Sequence, residues 1–165
     1  MSDDIKKKID VVFIAGGKFH DIDFARLEIL KLLAEDERMK TRVFEDYSNL
    51  HAIENADFLI TYTCDVRPNL EQQKALKKYV ASGKRWLALH GTNSILQFMS
   101  DGKVDSPRIA PIMMETLGSQ FIAHPPIEPY NVKVSQPDHP LVEGGEEFET
   151  TDELYLMELH GDLDV

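Results

Sequence analysis

Through the first half of the chain the apolar positions switch between two periods. Residues 10–15 (DVVFIA) form an unbroken apolar run closed by Gly16 and Gly17, the pattern of a strand buried on both faces. Phe24, Leu27, Leu30 and then Leu33 or Ala34 return at helical spacing, with Glu28, Lys31 and Glu35 between them and Asp21 or Asp23 in place to cap the helix. Residues 41–45 (TRVFE) predict a second strand and residues 56–63 (ADFLITYT) a third, with a helical turn between them in residues 48–55. Pro68 suits the first turn of a helix that carries Leu70, Ala75, Leu76, Tyr79 and Val80 and stops at Gly83. Residues 84–89 (KRWLAL) predict a fourth strand. Strands alternating with helices over short connections imply a parallel sheet covered by helices, in a doubly wound, flavodoxin-like α/β fold. Ligands of such sheets bind beyond the carboxyl ends of the strands, which gathers residues 16–20, 61–65 and 90–94 around one crevice.

The second half is less regular. Residues 107–117 are expected to form a helix with Ile109, Ile112, Met113 and Leu117 on its apolar side. His124-Pro125-Pro126 must be extended or turned. Residues 130–134 alternate like a strand at a sheet edge, 136–140 read as a turn, and 143–149 as an acidic loop around Gly144 and Gly145. Residues 152–159 (DELYLMEL) fit a strand or a helix equally well. No repeat, low-complexity tract or linker divides the 165 residues, so one domain is expected.

Composition narrows the function classes. The 42% hydrophobic and 28% charged fractions are those of a globular protein and exclude a disordered or fibrous one. A lone cysteine, Cys64, excludes an internal disulfide framework and a cysteine-based zinc cluster. No apolar run approaches the ~18–20 residues of a membrane helix, and the short run after the charged N-terminus is no secretory signal, so no membrane partner and a cytoplasmic location are expected. The net charge of −11 repels phosphate backbones and disfavours nucleic acid.

Candidate chemistry concentrates on histidines. His90, in the stretch Leu87 to Asn93, stands where a buried strand passes into an expected helix, a position presented at the top of the sheet with helical N–H groups close by. There an imidazole serves as acid or base, nucleophile or metal ligand, or is merely satisfied at a strand end. Gly16 and Gly17 let the backbone turn sharply and approach a ligand, although the spacing is neither a dinucleotide fingerprint nor a phosphate loop. His20 follows in the same loop. His124 leaves an apolar segment ahead of two prolines, and His139 lies in a turn. Glu153 and Tyr155 belong to the DELY run, where a carboxylate beside a histidine sets its tautomer or holds a metal, or is a solvated edge. Cys64 has no partner spacing that suggests a reactive thiol. His51 and His160 have no motif around them.

These motifs resemble the ThuA-like family of trehalose-utilisation proteins, which have a class I glutamine amidotransferase-like fold. The likeness rests on GGKFHD (16–21), QKALKKYVASG (73–83), LALHGTNS (87–94), LGSQFIAHP (117–125), DHPLVEG (138–144) and DELY (152–155). The resemblance implies a three-layer, flavodoxin-like sandwich with a mostly parallel sheet and a pocket at the strand ends. It implies carbohydrate metabolism, with trehalose-related or oxidised sugars as the substrate class. In amidotransferase relatives a cysteine nucleophile would sit where His90 stands, so a Cys-dependent glutamine hydrolysis is not expected. By position, His20, His90 and Glu153 are the expected catalytic groups of a hydrolase or isomerase. Gly16, Gly17, Gly91, Thr92, His124 and Tyr155 would contact the sugar. His20, His90 and His124 would hold a divalent metal such as zinc. The alternatives are a non-catalytic sugar-binding or regulatory domain of this fold, and a subunit that works only within an oligomer. The family pattern continues beyond DELY whereas this chain stops at Val165, so a fragment lacking the C-terminal part of the fold, a short member, or a domain completed by a partner chain is expected. An edge left open in that way would favour a homo-oligomer.

Overall fold

The computed structural model describes residues 7–164; the first six residues of the charged N-terminus lie outside that range. Its centre is a parallel sheet of four strands in the order β2-β1-β3-β4: β1 (Ile9–Gly17), β2 (Met39–Phe44), β3 (Phe58–Cys64) and β4 (Arg85–Leu89). The central strand explains the unbroken apolar run. Val11, Val12, Phe13, Ile14 and Ala15 are all fully buried, because successive side chains point to opposite faces and both faces are covered. Val12 and Ile14 pack with Tyr47, Ile53, Leu59, Leu76 and Met113 on one face. Val11, Phe13 and Ala15 pack with Leu33 and Ile60, and with Ile22, Ile29 and Leu30, on the other.

The second of these faces is covered by α1 (Ile22–Ala34). The first is covered by α2 (Leu50–Asn55), α3 (Leu70–Ala81) and α4 (Pro111–Leu117). The result is a three-layer α/β/α arrangement with the topology expected of a doubly wound sheet. The strand order reverses at β1: its connection runs to β2 on one side, while β3 lies on the other. The crevice that such a reversal opens sits at the carboxyl ends of β1 and β3.

Side-chain chemistry sets the helix starts. Asp21 caps α1 by accepting the Phe24 N–H at 2.9 Å. Asn69 and Gln72 form a reciprocal capping box at α3, each side chain accepting the other's backbone N–H at 3.0 and 2.8 Å. Pro68 therefore precedes the cap instead of sitting in the first turn. Other details also differ from the periodic reading. The buried stripe of α1 is Ala25 and Leu33, with Ile22 and Ile29 beside them, whereas Phe24 and Leu27 are exposed. α4 begins only at Pro111, with residues 107–110 forming a loop in which the Ile109 N–H donates to the Pro107 carbonyl and Ile109 stays exposed. Proline lacks the donor that a helix interior needs, so Pro111 takes the first helical position.

Beyond β4 the chain forms three separate two-stranded antiparallel pairs. β5 (Gln97–Phe98) pairs with β6 (Val104–Asp105), and β7 (Ser119–Ala123) pairs with β10 (Leu156–Leu159). β8 (Glu128–Val132) pairs with β9 (Phe148–Asp152). The ambiguous DELYLMEL segment is thus the end of one strand, a short irregular link and a second strand, and that link carries Glu153 and Tyr155. Among the described residues no helix is long and apolar enough to cross a membrane.

Candidate functional site

Three loops at the strand ends hold unusual backbone. Among the described residues, the non-glycine residues with positive φ are Phe19 (72°), Asp65 (56°) and His90 (47°), which follow β1, β3 and β4. Each such conformation costs about 1–3 kcal/mol and persists only where its surroundings enforce it. Asp65 supplies much of that enforcement. Its buried carboxylate accepts from Lys18 Nζ at 2.9 Å, Arg67 Nε at 3.0 Å and the Leu96 N–H at 3.1 Å. Its own N–H donates to the Ser94 carbonyl at 2.9 Å. Burial alone would push this carboxyl up, but the hydrogen bonds from Lys18, Leu96 and Arg67 outweigh it and hold the group below the usual carboxylate range. Asp65 thereby ties the loops after β1 and β3 to the segment that follows His90.

His90 opens a single 3-10 turn, His90–Asn93, where a longer helix was expected. Thr92 locks that turn: its hydroxyl donates to the Leu89 carbonyl at 2.8 Å and lies 3.1 Å from Thr61 Oγ1. The His90 imidazole is held between two phenol rings. Tyr155 stacks on it at 4.9 Å between centroids and Tyr62 at 5.7 Å, while His20 meets it edge-on at 4.3 Å. His90 Nε2 lies 3.2 Å from the Tyr155 hydroxyl and 3.6 Å from Glu153 Oε2. The other Glu153 oxygen lies 3.6 Å from His124 Nε2, so one carboxylate bridges two imidazoles. His124 Nδ1 lies 2.9 Å from the Pro125 carbonyl, and donation to it places the proton on Nδ1 and leaves Nε2 to face Glu153.

The electrostatics give these groups defined states at neutral pH. Burial and the neighbouring His20 lower the His90 pKa, and the charges of Glu153 and Asp152 only partly restore it, so His90 is neutral. Burial, and then the charge of Glu153, push the Tyr155 phenol up, so it keeps its proton and can donate to His90 Nε2. Burial first, and then the charges of Asp65 and Glu153, push the Cys64 thiol up to about 11. It is therefore not a thiolate nucleophile at pH 7.

A cavity of about 370 Å³ opens here, within the roughly 300–1,000 Å³ of small-molecule sites. Its polar lining includes His20, His124, Glu153 and Tyr155; Phe19, Phe98, Leu96 and Phe121 make much of its apolar wall. Ligand atoms of His20, His90 and Glu153 all lie within 4.8 Å of one another. Two imidazoles and a carboxylate are the protein ligands of one established type of catalytic zinc site, so this set fits a divalent cation. Glu153 thus takes the place expected for His124, which stands on the carboxylate's other oxygen, outside the close group.

The remaining candidates are placed differently. A Cβ on Gly16 would run into the Glu45 carbonyl, and one on Gly17 into that of Cys64, so close strand approach already explains this pair. Both line a separate concavity with His20, Asp21 and Arg26. Gly91 and Thr92 are buried beneath His90. His139 accepts the Leu141 N–H at a second 3-10 turn, and His51 lies against Asn55. Tyr62 and Asp65 were not singled out from the sequence, although both fall within the strand-end segment 61–65. Their only signals there are a polar-tipped aromatic and an acid in an otherwise buried run.

A family model described as ThuA, trehalose utilisation, matches residues 10–165. Among solved structures, a protein described as ThuA-like from Bacteroides uniformis ATCC 8492 is 17% identical with a TM-score of 0.67, over 92% of this chain and 62% of its own. Another described as ThuA-like, from Parabacteroides merdae ATCC 43184, is 15% identical with a TM-score of 0.59, over 90% of this chain and 63% of its own. At these identities the likeness concerns the fold alone, and the chain spans under two thirds of the length of either structure. A comparison with curated proteins finds no match.

Proposed function

The chain belongs to the ThuA family, and on that premise we propose that it acts on a sugar or an oxidised sugar derivative by proton transfer at the strand ends. The observation that carries this reading is the Glu153 carboxylate set between His90 and His124, with the Tyr155 hydroxyl on His90. A neutral imidazole is ready to accept a proton, and the adjacent carboxylate stabilises the imidazolium that results. Tyr155, kept protonated, donates to oxygen charge developing on the substrate. Proton removal beside a sugar carbonyl, or protonation of a leaving oxygen in hydrolysis, uses the same groups. The inert Cys64 thiol agrees with a route that needs no thiolate. The aromatic wall suits the apolar face of a sugar ring.

His20, His90 and Glu153 would be the residues to hold a divalent cation. Such an ion supplies Lewis-acid polarisation of a carbonyl or hydroxyl oxygen. The proton-moving role would then rest on Tyr155 and on His124, which stand outside that ligand group.

The test is turnover of a panel of disaccharides and keto-sugars by the wild-type chain and by His90→Ala and Glu153→Gln. Each variant is expected to lose about 10²–10⁴-fold in kcat. Unchanged turnover in both would remove these residues from the mechanism. Binding without turnover in the wild-type chain would favour a sugar-binding module of the same fold.

A further inference from the structure

The apolar wall of the cavity of about 370 Å³ is built in two parts. Phe121 packs against Tyr155 at 4.5 Å between ring centroids and against His124 at 6.3 Å, so it adjoins the proton-moving groups. Phe19 and Phe98 pack against each other at 5.4 Å, and Leu96 and Val104 add aliphatic surface to the lining. Phe98 and Val104 face each other across the β5–β6 pair. The first part sets an aromatic face beside hydrogen-bonding groups, which is what a sugar ring needs. The four side chains of the second part carry no hydrogen-bonding group at all.

The hairpin that carries this second part is tied down at both ends. The Leu96 N–H donates to Asp65 Oδ1 at 3.1 Å, and the Leu96 carbonyl accepts from Arg67. At the other end the Ser106 hydroxyl donates to the Ile95 carbonyl at 3.3 Å, and the Ser106 carbonyl accepts from Gln120 Nε2 at 3.1 Å. The wall is therefore preformed, yet Phe19 is 57%, Phe98 59% and Val104 49% exposed. Clustered apolar surface held open to water at a cavity marks where an apolar group is received. Sugar hydroxyls laid against it would give up water and gain no partner, whereas an apolar group would gain by burial.

We propose that the hairpin end of this cavity is an apolar subsite. The ligand then joins a hydroxyl-bearing part, held at His124, Glu153 and Tyr155, to an aryl or alkyl part covered by Phe19, Phe98 and Val104. This rests on the sugar-acting reading above and narrows it to glycosides with an apolar aglycone, as opposed to a sugar linked to a second sugar.

The experiment is calorimetric titration of the chain with phenyl glucoside and methyl glucoside, each as both anomers, and with trehalose. The two glucosides share the sugar and differ only in the aglycone, while trehalose puts a second sugar in the aglycone's place. It is run on the wild type, Phe98→Ala and Val104→Ala. In the wild-type chain phenyl glucoside is expected to bind at least about tenfold more tightly than methyl glucoside, and trehalose no more tightly than methyl glucoside. Phe98→Ala is expected to remove most of that advantage and Val104→Ala part of it, with methyl glucoside binding unchanged in both. The two side chains sit in solvent on separate strands, so each variant carries the test alone should the other fail to fold. Equal affinities for the two glucosides, trehalose binding more tightly than phenyl glucoside, or an advantage undiminished in the folded variants would overturn the apolar subsite and leave the sugar-acting reading standing. Failure of all three probes to bind the wild-type chain would overturn both.

Discussion

The parallel sheet and the paired ribbons that follow it are held together by different means. In the sheet half, β1 buries five consecutive side chains completely, and three helices on one face and one on the other complete two clusters of packed apolar residues. In the ribbon half the strand pairs are short, and large apolar side chains stay in solvent, with Leu141 88% exposed and Leu159 61%. Yet the site needs both halves. The sheet supplies His20 and His90 at its strand ends, while the ribbons supply His124, Glu153 and Tyr155. A rigid layer therefore sets the position of two imidazoles, and a lightly packed segment brings up the carboxylate and phenol that stand against His90.

The sharpest way to break this comparison is through packing. Phe13→Ala, in the fully buried strand, is expected to cost about 3–5 kcal/mol, read from the urea midpoint at unchanged slope. Leu141→Ala is expected to stay within about 0.5 kcal/mol of the wild type. Similar losses in the two variants would show that the ribbons share a common core with the sheet.

Metal tests the junction between the halves. Zinc added at about 100 times its dissociation constant is expected to stabilise the chain by about 2.7 kcal/mol, measured as a rise in Tm. His20→Ala and Glu153→Gln, one from each half, should both abolish that rise, while His124→Ala should leave most of it. A rise that survives the first two variants places the ion elsewhere.

Asp65 tests how the sheet half holds its strained loops. Asp65→Asn is expected to lose about 1–3 kcal/mol at pH 7, since hydrogen bonds from charged donors to a buried acceptor are weakened. The folded carboxyl lies below its ordinary value of 3.8. Its contribution is therefore complete above that pH and is lost as the pH falls through the folded value. Unfolding curves of the two proteins should converge in strong acid, and a gap that persists there would mean the charge is not what matters.

The smallest effect is on His90 itself. Its folded pKa lies below the ordinary 6.5, so its contribution to stability is full above pH 6.5 and declines as the pH falls from there through the folded value. Glu153 holds that pKa up, so Glu153→Gln should lower it further, as followed by the imidazole C–H resonances. A rise in the variant would show that the ribbon does not act on His90 as its position implies.

Much of the sheet half was legible because its signals are local. The DVVFIA run, the capping acids and the glycine stops lie within a few residues of the elements they define. Where they misled, as with Phe24 and Leu27 on α1, a near-periodic apolar pattern offered two faces and packing selected the other. The DELYLMEL segment stayed ambiguous because eight residues hold too few turns or alternations to separate the periods, and its pairing partner β7 lies some thirty residues away.

From the sequence alone came the parallel α/β architecture, the strand ends as the place for a site, and the identity of the histidines, the glutamate and the tyrosine worth watching. Tertiary structure alone decided that Glu153 joins His20 and His90 while His124 stands on its far side, that Tyr62 and Tyr155 enclose the His90 ring, and that Asp65 secures the loops. Those relations join segments far apart along the chain. Hydrophobic periodicity specifies which face of an element is buried, but the meeting of side chains across a crevice depends on how separate elements dock, which no local pattern encodes.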